Sequence, residues 1–105
     1  MNEIDDKVAA LLNLPLLNND GAIQFTDTHK KIIHEISKMC SDIPLIQDTK
    51  KQVEKYAEGF TAEEIYFDMI TKIAEAPTKI HMRLSARMLI PIIDKKLRNE
   101  NVNRN

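Results

Sequence analysis

The sequence predicts an all-α protein, a single compact bundle of four to five helices whose last helix is long and kinked at Pro91. Three observations predict this fold. The apolar residues recur with the period of a helix almost throughout the chain. The 105 residues include only two Gly and four Pro, most of them between the helical segments. Several segments also begin with residue types that cap helices. A chain of this length has room for one domain.

The first helix is predicted from about Glu3 to Asn13. Asn2 caps it, acidic residues in its first turn suit the positive end of the helix dipole, and Pro15 ends it. We interpret residues 14–26 as an ordered loop, because this segment contains a strong turn signal and no helical period. The apolar face of the helix consists of Ile4, Val8, Leu11 and Leu12.

The second helix is predicted to begin after a cap at Thr26 or Asp27 and to end near Cys40. Its apolar residues form one stripe: Ile32, Ile33, Ile36, Met39 and Cys40. The third helix, about residues 45–58, is polar and weakly patterned, and Gly59 is typical of a C-terminal stop. Its candidates for inward-facing positions are Ile46, Val53, Tyr56 and Ala57.

The fourth helix has the clearest start signal in the chain. Thr61 and Glu64 form a capping box, in which each side chain accepts a hydrogen bond from the backbone of the other residue. Phe60 and Ile65 flank this box as a hydrophobic staple. The helix is predicted to run to Ala76 and to bury Ile65, Met69, Ile70 and Ile73.

The fifth helix is predicted from Lys79 to Leu97 or beyond. Its main apolar stripe keeps its phase across Pro91, so a kink explains the pattern better than a break. Residues 99–105 are polar, and we expect them to form a frayed tail. The domain is therefore residues 1–105, with an ordered unit over about 3–98. The stripe consists of Met82, Ala86, Leu89, Ile93 and Leu97.

The amino-acid composition argues against a secreted protein, a membrane protein and a protein with a disulfide or a multi-thiolate metal site. The first residues lack the basic start and apolar run of a secretory signal, and no 18-residue apolar stretch is present. We therefore expect a cytoplasmic protein that does not contact membranes. A single Cys excludes a disulfide within the chain and a multi-thiolate metal site.

Residue patterns that would indicate catalysis are missing from the sequence. Neither Gly belongs to a phosphate-binding loop, and His29 and His34 are about 140° apart on a helix, so they cannot chelate one metal ion together. We expect both imidazoles at the surface or half-buried. Cys40 lies on an apolar stripe and is predicted to be a core thiol. The sequence predicts no enzyme, no catalytic residues, no cofactor and no metal.

The charges are unevenly distributed along a chain whose total is −1. Residues 1–77 contain eight Lys and 14 acidic residues, a net charge of −6. Residues 78–105 contain seven basic and two acidic residues, a net charge of +5, and they include every Arg. The fifth helix is therefore predicted to be basic as well as amphipathic.

This helix has apolar residues on two sides. Ile80, Leu84 and Met88 form a second short set, and Arg83 and Arg87 lie between that set and the main stripe. One hypothesis is that the helix packs against the acidic helices of its own bundle, with Asp94 and Arg98 paired at i, i+4. The other is that the second side contacts a partner.

The function predicted from these features is that of a non-enzymatic protein which binds another protein through its C-terminal basic helix, as an adaptor, inhibitor or immunity-type protein. The main alternative is a nucleic-acid-binding transcriptional regulator that uses the same helix, although Asp94 on the basic face argues against phosphate contacts. A homodimer is a further alternative. The candidate partner-binding residues are Lys79, Ile80, Arg83, Leu84, Arg87 and Met88.

Overall fold

A computed structural model describes the backbone of residues 3–15, 24–40, 47–75 and 79–103, and the side chains of residues 3–15, 24–40, 51–75 and 85–99. The described residues form an all-α fold with five helices and no strand, which confirms the predicted fold class. The helices are α1 (Glu3–Leu12), α2 (Asp27–Cys40), α3 (Gln47–Ala57), α4 (Ala62–Glu75) and α5 (Lys79–Asn103).

The longest helix, α5, lies at the centre of the bundle. It packs most extensively against α4 and α2, and it also contacts α3 and α1. The α1 helix packs against α2, and the Lys7 Nζ–Glu35 Oε2 ion pair of 2.6 Å links the two. The bundle measures 34 × 27 × 22 Å. Because α5 contacts every other helix, the fold depends on its apolar stripe.

The core follows the predicted apolar faces. Each helix except α3 contributes several buried residues, whereas α3 contributes only Ala57 among the described side chains. The α3 candidate Tyr56 is 43% exposed, so the prediction that it faces inward is wrong. The largest fully buried apolar side chains are Tyr66, Leu11, Ile33, Ile36, Ile65, Met69, Ile90 and Ile93.

The capping box of α4 is present as predicted. The Thr61 N–H donates to Glu64 Oε1 (2.9 Å), and the Glu64 N–H donates to Thr61 Oγ1 (3.1 Å). Two of the four N–H groups that a helix leaves unpaired at its start are satisfied in this way.

The start of α2 uses the same arrangement with a different residue. The His29 N–H donates to Thr26 Oγ1 (3.2 Å), which identifies Thr26 rather than Asp27 as the cap. In return, the Thr26 N–H donates to His29 Nδ1 (3.1 Å). An imidazole thus takes the place that Glu64 has in α4, and its Nδ1 must be unprotonated to accept this hydrogen bond.

His29 is fully buried, which corrects the prediction of a surface or half-buried imidazole. Its ring is turned inward by the cap and makes an edge contact with Phe25 (6.1 Å between ring centroids). Burial lowers the pKa of His29. A signal for this was present in the sequence, because His29 precedes Ile33 by four residues and Ile36 by seven and therefore lies on their stripe.

The α5 helix continues through Pro91 and ends at Asn103. Pro91 has no N–H, so the carbonyl of Arg87, four residues earlier, loses its helical hydrogen bond there. The kink remains a prediction, as does the fraying of residues 99–105. The predicted loop over residues 14–26 is described only at its two ends, since residues 16–23 lie outside the described part of the chain.

Candidate functional site

The six predicted partner-binding residues all belong to α5. Lys79, Ile80, Arg83 and Leu84 lie outside the described side chains, so their roles remain predictions. The other two, Arg87 and Met88, are half-buried and line the same groove.

This groove lies where α3 and α5 meet, and it has a volume of about 500 Å³. We refer to it as the α3–α5 groove. Helix α2 contributes one residue, Ser37, α3 contributes three, the turn after α3 contributes Glu58, and α5 contributes the rest. The α3 residues are Val53, Glu54 and Ala57, and the α5 residues are Arg87, Met88, Pro91, Ile92, Lys95, Lys96, Arg98 and Asn99.

The groove forms because α5 has apolar residues on two sides. At about 100° per residue, Met88 and Ile92 are neighbours, whereas Ile93 is about 140° away from Met88 and lies in the core. Helix α3 is short, and it covers only part of the outer side through Val53 and Ala57. Met88, Pro91 and Ile92 are therefore left half-buried. Of the second apolar set inferred from the sequence, only Met88 is among the described side chains, and Ile80 and Leu84 remain predictions.

Charged residues surround this apolar floor, and their sign depends on the helix. The lining from α3 and the turn after it carries two acids, Glu54 and Glu58. The α5 part carries four cations: Arg87, Lys95, Lys96 and Arg98. Of these six charged residues, only Arg98 takes part in an ion pair with another described residue.

Arg98 is held by a buried carboxylate. Its Nε lies 3.1 Å from Asp94 Oδ2, which confirms the predicted i, i+4 pair. The other Asp94 oxygen lies 3.2 Å from His34 Nδ1 on α2, so Asp94 connects the two helices. The Asp94 side chain is only 5% exposed. It therefore lies at the contact between α2 and α5 rather than on the exposed basic face, and the effect of its charge on phosphates stays a prediction.

Arg87 occupies the inner part of the groove lining. Its Nε is buried and has no hydrogen-bond partner among the described residues. Its positive charge also acts on Cys40, where it partly offsets the effect of burial, and the pKa of that thiol is raised overall. Cys40 is 7% exposed and belongs to the core, as predicted.

A second exposed surface lies on α3 and α4, outside the groove. Its large apolar side chains are Tyr56, Phe60 and Phe67, and Phe67 is 61% exposed. Tyr56 stacks against Phe60 (5.0 Å between ring centroids) and donates a hydrogen bond to Asp68 (2.8 Å). The charges here are already paired, because Lys72 contacts the same Asp68 oxygen at 2.6 Å. This surface is apolar, but it lacks the unpaired cations of the groove.

Within the described ranges, no group of three or more His, Cys, Asp or Glu is arranged to hold a metal ion. None of the described helices is both long enough and apolar enough to cross a membrane. Comparisons with protein-family models, curated proteins and solved structures found no match to this chain.

Of the residues that line the groove, only Arg87 and Met88 were among the six predicted partner-binding residues. The contribution of α3 was not predicted, because its weak pattern does not show where it packs. Ile92 was also missed, although a signal was present: it continues the row of Ile80, Leu84 and Met88 in steps of four. Following that row would have placed the candidate site nearer the C-terminus.

Proposed function

We propose that this protein functions by binding another protein in the α3–α5 groove, as an adaptor, inhibitor or regulator without catalytic activity of its own. The observation that carries the proposal is a half-buried apolar floor of Met88, Pro91 and Ile92 beside unpaired cations, on the side of α5 that α3 partly covers.

The apolar floor and the charged residues of the groove contribute to binding in different ways. Covering the half-buried apolar floor stabilises a complex by about 25 cal/mol for each Å² removed from water. The charges contribute mainly to specificity and to the rate of association. A groove between two helices is also a common site for helical segments of partner proteins.

Nucleic acid fits this groove less well. Phosphates that contacted Lys95 and Lys96 would also approach Glu54 and Glu58, which line the same groove. Their repulsion would cancel part of the attraction that drives nucleic-acid binding. A partner with an apolar face and charges of both signs suits the groove better.

The proposal is tested by placing a photoreactive amino acid at one position in cells of the source organism. With the probe at Ile92, we expect irradiation to produce one dominant covalent adduct with another protein. With the probe at Phe67, which is exposed but outside the groove, we expect no such adduct.

Three results would contradict the proposal. Protein adducts at Phe67 alone would place the binding surface elsewhere, and an adduct with nucleic acid would support the transcriptional regulator. An adduct of twice the mass of the chain would support the homodimer.

A further inference from the structure

We propose that the segment bound in the α3–α5 groove is an amphipathic α-helix of the partner, with an apolar face on Met88, Pro91 and Ile92 and an Asp or Glu carboxylate that pairs with Arg87. This inference rests on the proposed function and specifies the chemistry of the partner.

The walls of the groove favour a helix over an extended segment. Apart from the Arg87 carbonyl opposite Pro91, α3 and α5 pair their central backbone groups within the helix, so neither offers an edge with which a strand could pair. A helix brings its own backbone hydrogen bonds and needs only side-chain contacts. From Arg87 to Asn99 the lining of α5 extends for about 18 Å, at 1.5 Å per residue, which matches about three turns of a bound helix.

Arg87 sets the requirement for a carboxylate. Its guanidinium is always charged, and no carboxylate among the described residues lies within ion-pair distance of it. Its Nε is buried and has no acceptor among those residues, so a partner in the groove would contact the terminal Nη groups of this lining side chain. A partner carboxylate can accept two parallel hydrogen bonds from a guanidinium, the strongest charged contact available to it. Lys95, in contrast, is exposed, and an ion pair there contributes little.

The acids on the α3 side of the groove predict an effect of opposite sign. Glu54 and Glu58 repel an acidic helix, so removing one of these charges should strengthen its binding. A residue that only maintains the fold would not produce this sign. The two helices of the groove therefore supply matched variants with opposite expected effects.

The experiment uses two synthetic helical peptides of about 12 residues, with the same Leu and Ala stripe and either Glu or the isosteric Gln at the flanking positions. Their affinities for the full chain are measured by fluorescence anisotropy. We expect the Glu peptide to bind at least about tenfold more tightly than the Gln peptide, as for a hydrogen bond to a charged group.

Three variants show which residues of the protein cause the preference for the Glu peptide. Arg87→Gln should abolish the preference for the Glu peptide, and Glu58→Gln should increase its affinity about twofold. Lys72→Gln, which removes a cation on the other surface, should change neither affinity. Circular dichroism confirms that each variant is folded.

Equal binding of the two peptides would overturn the requirement for a carboxylate, as would a preference that survives in Arg87→Gln. Binding of neither peptide would also overturn the inference. Tighter binding of a DNA duplex of matched length, with a steep loss on adding salt, would replace it with nucleic-acid recognition. The photocrosslinking at Ile92 is independent of these peptides, so failure of the inference and failure of the proposed function are distinguishable.

Discussion

The two sides of α5 differ in how completely the chain covers them. On the inner side, Ala86, Leu89, Ile90, Ile93 and Leu97 are at most 6% exposed. On the outer side, Met88, Pro91 and Ile92 remain half-buried beneath the shorter α3, and Lys95 is exposed. The same helix therefore has one side that is fully buried and another that is only partly buried.

This difference separates stability from binding. The side chains on the inner side are removed from water when the chain folds, and this burial stabilises the folded state. The outer side retains apolar area that the described residues leave partly uncovered, and this area is available for binding. Changes on the inner side should therefore affect unfolding, and changes on the outer side should affect association.

The largest expected effect is that of Ile93→Ala on the inner side. The fully buried Ile93 leaves a cavity when truncated, and the free energy of unfolding should fall by about 2–5 kcal/mol. The matched variant Ile92→Ala, one residue away on the outer side, should cost less than about 1.5 kcal/mol because Ile92 is half-buried. Urea unfolding of both variants measures the difference, and equal losses would contradict the contrast between the two sides.

The second effect concerns Asp94, at the edge of the core. Asp94→Asn removes the charge that Arg98 and His34 contact, and it should reduce the free energy of unfolding by about 1–3 kcal/mol. Arg98→Gln and His34→Gln remove exposed partners and should each cost less than about 1 kcal/mol. A loss in Asp94→Asn no larger than in these controls would show that the carboxylate does not hold α2 against α5.

The smallest expected effect is a pH dependence of the core that α2 shares with α5. Because burial lowers the pKa of His29, the folded protein takes up this proton at a lower pH than the unfolded chain, whose ordinary pKa is about 6.5. The contribution of His29 to stability is therefore complete above about pH 6.5 and is lost as the pH falls towards the pKa of the folded state. Its slope is at most about 1.4 kcal/mol per pH unit.

His29→Gln is the matched control for this effect. Gln at the same position can still accept the Thr26 N–H, as in other capping boxes, but it does not titrate. Unfolding measured between pH 7.5 and 5 should show a shallower pH dependence in this variant. Identical slopes in the two proteins would mean that His29 is not responsible.

The sequence was sufficient to predict the helices because their boundaries depend on local chemistry. Thr61 and Glu64, which cap α4, are only three residues apart in the sequence. The apolar residues from Ala86 to Leu97 recur with the period of a helix, and this spacing is enough to predict that they are buried. Such signals lie within one helix, so they are readable without knowing what packs against it.

The groove could not be predicted in the same way, because it depends on two helices distant in sequence. Nothing in the local pattern of α3 shows that Glu54 and Glu58 line the groove together with Lys95 and Lys96. The burial of Asp94 likewise depends on α2, where its partner His34 is 60 positions away in the sequence. The burial of His29, in contrast, was predictable from the sequence, because His29 lies on the apolar stripe of α2. The prediction was missed because His is usually a polar surface residue.

The central claim is that the outer side of α5, with α3, forms the binding surface. It is tested most directly by an NMR titration of the isotopically labelled protein with the Glu peptide, in which backbone amide shifts are followed residue by residue. We predict that the largest changes occur at Val53, Arg87, Ile92 and Lys95, and that Phe67 does not change. Shifts concentrated around Tyr56, Phe60 and Phe67 would contradict the claim, as would a peptide that binds without moving the amides of the groove.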